Sequence, residues 1–224
     1  MKATVQAISA PVGAEAPQDR KAVLAEALRR RIAAAYGSGM TSPYLARIVN
    51  DRHADRLGDL IADALATGGR IIVGGERQGR ALAPTVLEAI APEAAIDHEE
   101  IFGPVLPVLT YDDIETVIGR INARPKPLAL YVFARDRGLV DLVTAGTSSG
   151  SVGVNLTVMT FSHGNLPFGG VGNSGMGAAH GRAGFQTFSH LKPVLRNWAS
   201  PLPLVFPPYG ARVRRLIGAM VRGL

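Results

Sequence analysis

Cysteine is absent from the 224 residues, which removes disulfides, thiolate metal sites and any cysteine nucleophile from the chemistry open to this chain. Long apolar runs are absent too, since no stretch approaches the roughly 18 consecutive apolar residues of a membrane helix. Met1-Lys2-Ala3-Thr4 leads into no apolar segment with a small-residue cleavage site, so a soluble, cytoplasmic chain is expected. Acidic residues stop at Asp141, and everything beyond carries only positive groups: Arg182, Lys192, Arg196, Arg212, Arg214, Arg215 and Arg222. Histidine is sparse, and His53, His98, His163, His180 and His190 show no metal-ligand spacing, which argues against a metal site.

What is present describes a folded protein. At 47% hydrophobic and 19% charged residues, the chain has apolar material for one large domain or two small ones, which argues against a disordered chain. The formal charge of +6 sits at the ends: residues 1–35 hold 6 basic and 3 acidic groups, residues 36–190 hold 12 and 15, and residues 191–224 hold 6 and none. The middle is therefore mildly acidic. Nucleic-acid binding calls for clustered Lys and Arg interleaved with aromatics on a recognisable motif, and that pattern is missing, so no nucleic-acid partner is expected.

The apolar rhythm supplies the elements. Residues 1–18 are small, Pro-containing and aperiodic, which reads as a leader without regular structure. Val23, Leu24, Leu28 and Ile32 recur at helical spacing, with Gly37 as a stop. A second helix follows Asn50, with Leu57, Leu60, Ile61, Ala64 and Leu65 on one face. Strands are expected at Arg70–Val73, Leu82–Leu87, Val105–Tyr111, Leu128–Phe133 and Ser151–Asn155, with helices over Asp113–Ala123 and Arg137–Thr144 between the last three. That alternation points to an α/β fold with a mainly parallel sheet. A Gly-rich loop then runs from Phe161 to Gly181, followed by one more strand at Phe188–Leu195 and a basic helix within Tyr209–Leu224.

Several strings carry candidate chemistry. Gly170-Val171-Gly172-Asn173-Ser174-Gly175 spells a dinucleotide fingerprint, but no clear strand precedes it, no clear helix follows and no carboxylate comes after it for a ribose. It reads instead as a loop whose glycines allow positive φ and close backbone approach. Gly146-Thr147-Ser148-Ser149-Gly150 joins a helix to a strand, the reverse of a nucleophile elbow, and reads as a small-residue turn. Glu99-Glu100-Ile101-Phe102-Gly103-Pro104 sets two carboxylates before an aromatic. That pattern suits either a solvated acidic turn or a carboxylate that takes a ribose diol beside an aromatic that meets a flat heterocycle. His180 closes the Gly-rich loop, either orienting it through a ring N–H or making a structural hydrogen bond. Residues 208–222 are basic and amphipathic, suited to packing on a domain or partner subunit, or to peripheral contact with an anionic membrane.

Three of these strings together, Glu99-Glu100-Ile101-Phe102-Gly103-Pro104-Val105, Arg124-Pro125-Lys126-Pro127-Leu128-Ala129-Leu130-Tyr131-Val132-Phe133, and Pro167 to Gly177 with His180-Gly181, resemble the aldehyde dehydrogenase superfamily. The second and third resemble its class 3 and coniferyl aldehyde dehydrogenase branch. Weaker similarity reaches back to about Lys21 and forward to Phe206-Pro207-Pro208. The resemblance implies the C-terminal part of the aldehyde dehydrogenase fold: an unmatched leader at 1–20, a partial catalytic domain at 21–187, an oligomerisation-arm strand at 188–197 and a basic tail at 198–224. It implies NAD or NADP as cofactor, an aldehyde as substrate, and a homodimer or pairing with a full-length homologue. Glu100 then corresponds to the carboxylate on the nicotinamide ribose and Phe102 to the aromatic that positions the nicotinamide ring, while Asn155, Phe168 and His180 belong to the substrate loop. Leu156 and Thr160 depart from the branch, where an acidic residue and a histidine are usual.

The resemblance covers only the C-terminal half of such an enzyme. The nucleophilic cysteine, the general-base glutamate and the dinucleotide-binding domain belong to sequence upstream of the matched part. The chain alone is therefore expected to be inactive, to bind NAD weakly or not at all, and to expose apolar surface that lowers its solubility. The alternative is a non-catalytic module that associates with a full-length aldehyde dehydrogenase.

Overall fold

The structure is a computed structural model, and it describes residues 4–8, 14–17, 20–37, 39–200 and 202–222. It divides into two compact units, Met1–Phe188 and Ser189–Leu224. In chain order the first unit contains β1 (Thr4–Ile8), β2 (Ala14–Pro17), α1 (Lys21–Tyr36), α2 (Asp51–Ala66), β3 (Arg70–Val73), β4 (Arg77–Gln78), β5 (Ala81–Leu82), β6 (Thr85–Glu88), β7 (Val105–Tyr111), α3 (Ile114–Asn122), β8 (Ala129–Phe133), α4 (Arg137–Gly146), β9 (Ser151–Val154), α5 (Met159–Ser162) and α6 (Gly181–Thr187). The second unit holds a 3-10 turn at Leu202–Val205 and α7 (Ala211–Arg222).

Seven strands form one sheet in the order β3-β6-β7-β2-β1-β8-β9. The pairs β6–β7, β2–β7 and β8–β9 are parallel, whereas β3–β6, β1–β2 and β1–β8 are antiparallel. The expectation of a mainly parallel sheet is thus corrected to a mixed one. β7 and β8 do run the same way, as a strand-helix-strand crossover requires, but they are not neighbours. The leader lies between them, with β2 registered on β7 (Ala16 opposite Thr110) and β1 on β8 (Val5 opposite Val132).

This overturns, for residues 4–8 and 14–17, the reading of the leader as a segment without regular structure; the rest of 1–18 lies outside the described residues. The leader's small residues carry no periodic signal, but strand pairing is made by main-chain N–H and C=O groups. Two buried edges in need of partners recruit whatever backbone lies between them. A second expectation also changes, since Phe188–Leu195 forms no strand among the described residues. Apolar pattern gives a segment strand propensity, but a strand exists only where its main-chain groups are paired in a ladder.

The helices follow their apolar stripes. Leu24, Leu28 and Ile32 of α1 pack on buried Val86 and Val108, and Gly37, at φ +62°, ends the helix by donating to the Ala33 carbonyl. Asn50 caps α2 by accepting from the His53 N–H at 2.8 Å. Ala54, Leu57, Leu60, Ile61 and Ala64 then form a buried stripe against Leu82, Leu87, Ile96 and Val105, while Leu65 stays exposed. A separate core joins α3 and α4 to β8 through Val117, Ile118, Ile121, Leu139, Val143, Leu130 and Val132. Glu88, at the end of β6, is hydrogen-bonded by Lys21, which with Arg70 holds its carboxyl below the usual glutamate range against the opposing effect of burial.

Asp97 is the buried carboxylate of this unit, 2% exposed. It accepts from Arg120 of α3 and from Arg124 just beyond, so the chain entering the Glu99–Pro104 turn is tied to the crossover helix. Removing this acid leaves two guanidiniums without their shared partner. Asp97→Ala should lower stability by about 3 kcal/mol in urea unfolding, whereas exposed Asp112→Ala should leave the midpoint unchanged.

Candidate functional site

The Glu99–Pro104 turn is fixed from below by α2. Arg56 donates from Nη1 to the Glu99 carboxylate at 3.1 Å, and from Nη2 to the carbonyls of Glu100 at 3.1 Å and Ile101 at 2.6 Å. His53 Nε2 lies 2.7 Å from the Phe102 carbonyl. A carbonyl can only accept, so Nε2 carries the proton, which leaves Nδ1 to accept from Arg56 Nε at 3.4 Å. Charge-assisted bonds of this kind are the stronger class, and they hold Phe102 at φ +50°, a left-handed conformation unfavourable for a bulky residue. The Phe102 ring is 75% exposed.

This geometry separates the two adjacent glutamates. Glu99 is engaged by Arg56, whereas the exposed Glu100 carboxylate has no hydrogen-bond partner among the described residues. The site thus offers a free carboxylate two residues from a presented aromatic face, on a main chain that is clamped.

The Gly-rich loop builds a second cluster. Phe168 and Ala179 exchange main-chain hydrogen bonds as an antiparallel bridge, which stacks the His180 ring on Phe168 with centroids 5.8 Å apart and planes at 20°. Phe161 meets Phe168 edge-on at 6.1 Å. His180 Nδ1 is buried with no hydrogen-bond partner, so stacking, not a ring hydrogen bond from that atom, sets its place in the loop. The Gly170–Gly175 string is folded on itself: a Cβ at Gly170 would collide with the main chain of Ser174 and Gly175. Ser174 Oγ accepts from the Val171 N–H at 2.9 Å and lies 3.1 Å from the Val171 carbonyl. Its glycines allow this close approach of the loop to itself.

Topology decides which candidates share an end of the sheet. The Glu99–Pro104 turn precedes β7, and Gly150, just before β9, packs between Gly169-Gly170 and the Leu128 carbonyl, just before β8. Since β7, β8 and β9 run in the same direction, Glu100, Phe102, Phe168 and His180 belong to the N-terminal ends of these strands. Asn155 follows β9 and stands at the opposite end. Its side-chain amide accepts from Ala134 N at 3.0 Å and donates to Ala134 O at 2.9 Å, joining the ends of β8 and β9.

His53 and Arg56 escaped the sequence reading. They lie more than 40 residues from the turn they hold, and an i, i+3 pair at the start of an amphipathic helix has the look of an ordinary solvated face.

The aldehyde dehydrogenase family model matches residues 18–194. The chain belongs to this family. It is 47% identical over 163 residues to mouse (Mus musculus) aldehyde dehydrogenase family 3 member A2, covering 71% of this chain and 33% of that protein. It is 40% identical over 203 residues to a coniferyl aldehyde dehydrogenase from a Pseudomonas species, covering 86% of this chain and 42% of that one. A solved structure of Staphylococcus aureus AldH in a substrate-bound state superposes with a TM-score of 0.74 at 36% identity, over 91% of this chain and 45% of the other. The curated relatives place the chain in the class 3 branch, and it spans less than half the length of each of the three.

Gly103 packs the turn onto α2 so closely that a Cβ there would lie 2.5 Å from Leu57 Cδ1, and Leu57 is fully buried. Gly103→Ala should therefore cost about 2 kcal/mol of stability through overpacking. Combining it with Leu57→Ala should give less than the sum of the two single losses in urea unfolding.

Proposed function

We propose that this chain carries the nicotinamide side of an aldehyde dehydrogenase site and does not turn over aldehyde by itself. The observation that carries the reading is the Glu99–Phe102 turn: one glutamate held by Arg56, the other free, and Phe102 presented in a clamped left-handed conformation. Those residues fit NAD or NADP. The Glu100 carboxylate would accept hydrogen bonds from the nicotinamide ribose diol, and Phe102 would set the plane of the ring. NAD(P), when bound, supplies the hydride acceptor for aldehyde oxidation. His53 and Arg56 act as positioning residues, since they hold the main chain that presents both side chains. Phe168, with His180 and Phe161 stacked around it, forms an aromatic wall that we assign to the substrate side. Asn155 joins the opposite ends of β8 and β9 and takes no part in that wall.

The full reaction needs a thiolate to attack the aldehyde carbonyl, and none of the 224 residues is cysteine. Contacts on the nicotinamide side alone do not replace adenosine and pyrophosphate contacts, so cofactor affinity should be far weaker than an intact enzyme's. With NAD or NADP and aromatic or aliphatic aldehydes, the purified chain should form no NADH or NADPH, and calorimetry should show no micromolar NAD binding. Saturable, thiol-independent NADH formation or micromolar affinity would overturn the reading.

A second reading is favoured by one feature. Phe188, Leu191, Val194 and Leu195 are each more than 70% exposed, on a segment expected to be a strand that forms none among the described residues. Such a segment suits β-pairing with a full-length family member. Co-expression with a full-length class 3 relative should yield a complex on affinity purification, and strictly monomeric behaviour in its presence counts against this role.

A further inference from the structure

Helix α7 sorts its side chains by angle. At 100° per residue, Val213, Leu216, Ile217, Met220 and Val221 fall within an arc of about 140°. Arg212 and Arg214 stand just outside the two edges of that arc, and Arg215 and Arg222 project from the opposite face. No residue of the helix is buried, and Leu216, Met220 and Val221 are exposed. Phe206 and Tyr209, immediately before it, are 57% and 52% exposed. Within its own unit the helix meets the Leu202–Val205 turn; Val213 and Ile217 are half-buried, while the rest of the apolar arc stays exposed.

We propose that α7 docks on the surface of a bilayer containing anionic lipid. It would lie along the interface, with the five apolar side chains toward the acyl region and the arginines among the head groups. No helix among the described residues is long and apolar enough to cross a membrane. At 12 residues, α7 falls well short of the roughly 20 that a spanning helix needs, so its length fits an interfacial position. Charge complementarity selects the occupant. Beyond Asp141 the sequence has no carboxylate, so a second copy of the Ser189–Leu224 unit would bring like charge against like, whereas an anionic head-group layer answers every arginine. The flanking Arg212 and Arg214 are placed to reach outward while their methylenes cover the edges of the apolar face. Phe206 and Tyr209 supply aromatic groups where the chain enters the interface. This inference does not depend on the cofactor reading of the Glu99–Phe102 turn.

The test is flotation of the full chain with vesicles of phosphatidylcholine alone, or of phosphatidylcholine mixed with phosphatidylglycerol, at low and high salt. We expect about tenfold stronger binding to the anionic vesicles at low salt, reduced at high salt. Ile217→Asp should abolish binding, and the double variant Arg214→Glu, Arg215→Glu should remove the preference for anionic lipid. Because α7 buries none of its residues, both variants should keep the parent's thermal transition, followed by circular dichroism. Absence of vesicle binding, equal binding to neutral vesicles, or full binding by Ile217→Asp would overturn the proposal. So would a change in oligomeric mass caused by Ile217→Asp in light scattering, which would assign the face to a second copy. Salt-dependent binding to a single-stranded oligonucleotide that exceeds vesicle binding and ignores Ile217→Asp would also overturn it.

Discussion

The guanidinium of Arg56 connects the hydrophobic core to the exposed turn on which the functional reading rests. Its helix is held by Ala54, Leu57, Leu60 and Ile61 in the core, and three of its donor contacts take the Glu99 carboxylate and the carbonyls of Glu100 and Ile101. His53, one turn earlier, takes the Phe102 carbonyl. On the other side, Asp97 binds the incoming chain to Arg120 and Arg124. A left-handed phenylalanine persists only where its surroundings over-determine it, and these contacts are the over-determination. The same contacts leave Glu100 free by engaging Glu99.

Continuity of the sheet is the constraint one level down. β7 and β8 are parallel and carry the site at their N-terminal ends, but two strand positions separate them. β1 and β2 fill those positions with main-chain pairing. The leader, featureless as sequence, therefore holds the turn before β7 and the Gly150–Gly170 contact beside β9 within one sheet.

Legibility followed the range of the interactions. α2, α3 and α4 were readable because each buries a stripe at helical spacing, and β7 and β8 because their apolar runs are bounded by turn residues. The glycines at 170–175 are legible as a loop, and the close approach of Gly170 to the Ser174–Gly175 main chain is what they permit. The distinction between Glu99 and Glu100 was not readable, because it depends on Arg56, 43 residues earlier than Glu99. The strand expected at Phe188–Leu195 does not form for the complementary reason: β-propensity makes a segment fit for pairing, but a strand is defined by main-chain partners that propensity does not supply.

The 224 residues by themselves settled composition-level facts. There is no thiol for covalent catalysis, the middle is acidic, the C-terminal stretch is free of carboxylates, and three motifs in family order mark the aldehyde dehydrogenase relationship. Such facts are local or additive, so they survive without coordinates. Only the tertiary structure decided which glutamate is free, why Phe102 is presented, that Asn155 stands at the opposite end of the sheet from Phe168, and that the leader completes the sheet. Each of those depends on groups far apart in sequence meeting in space, and hydrogen-bond partners at that separation leave no periodic trace in the chain.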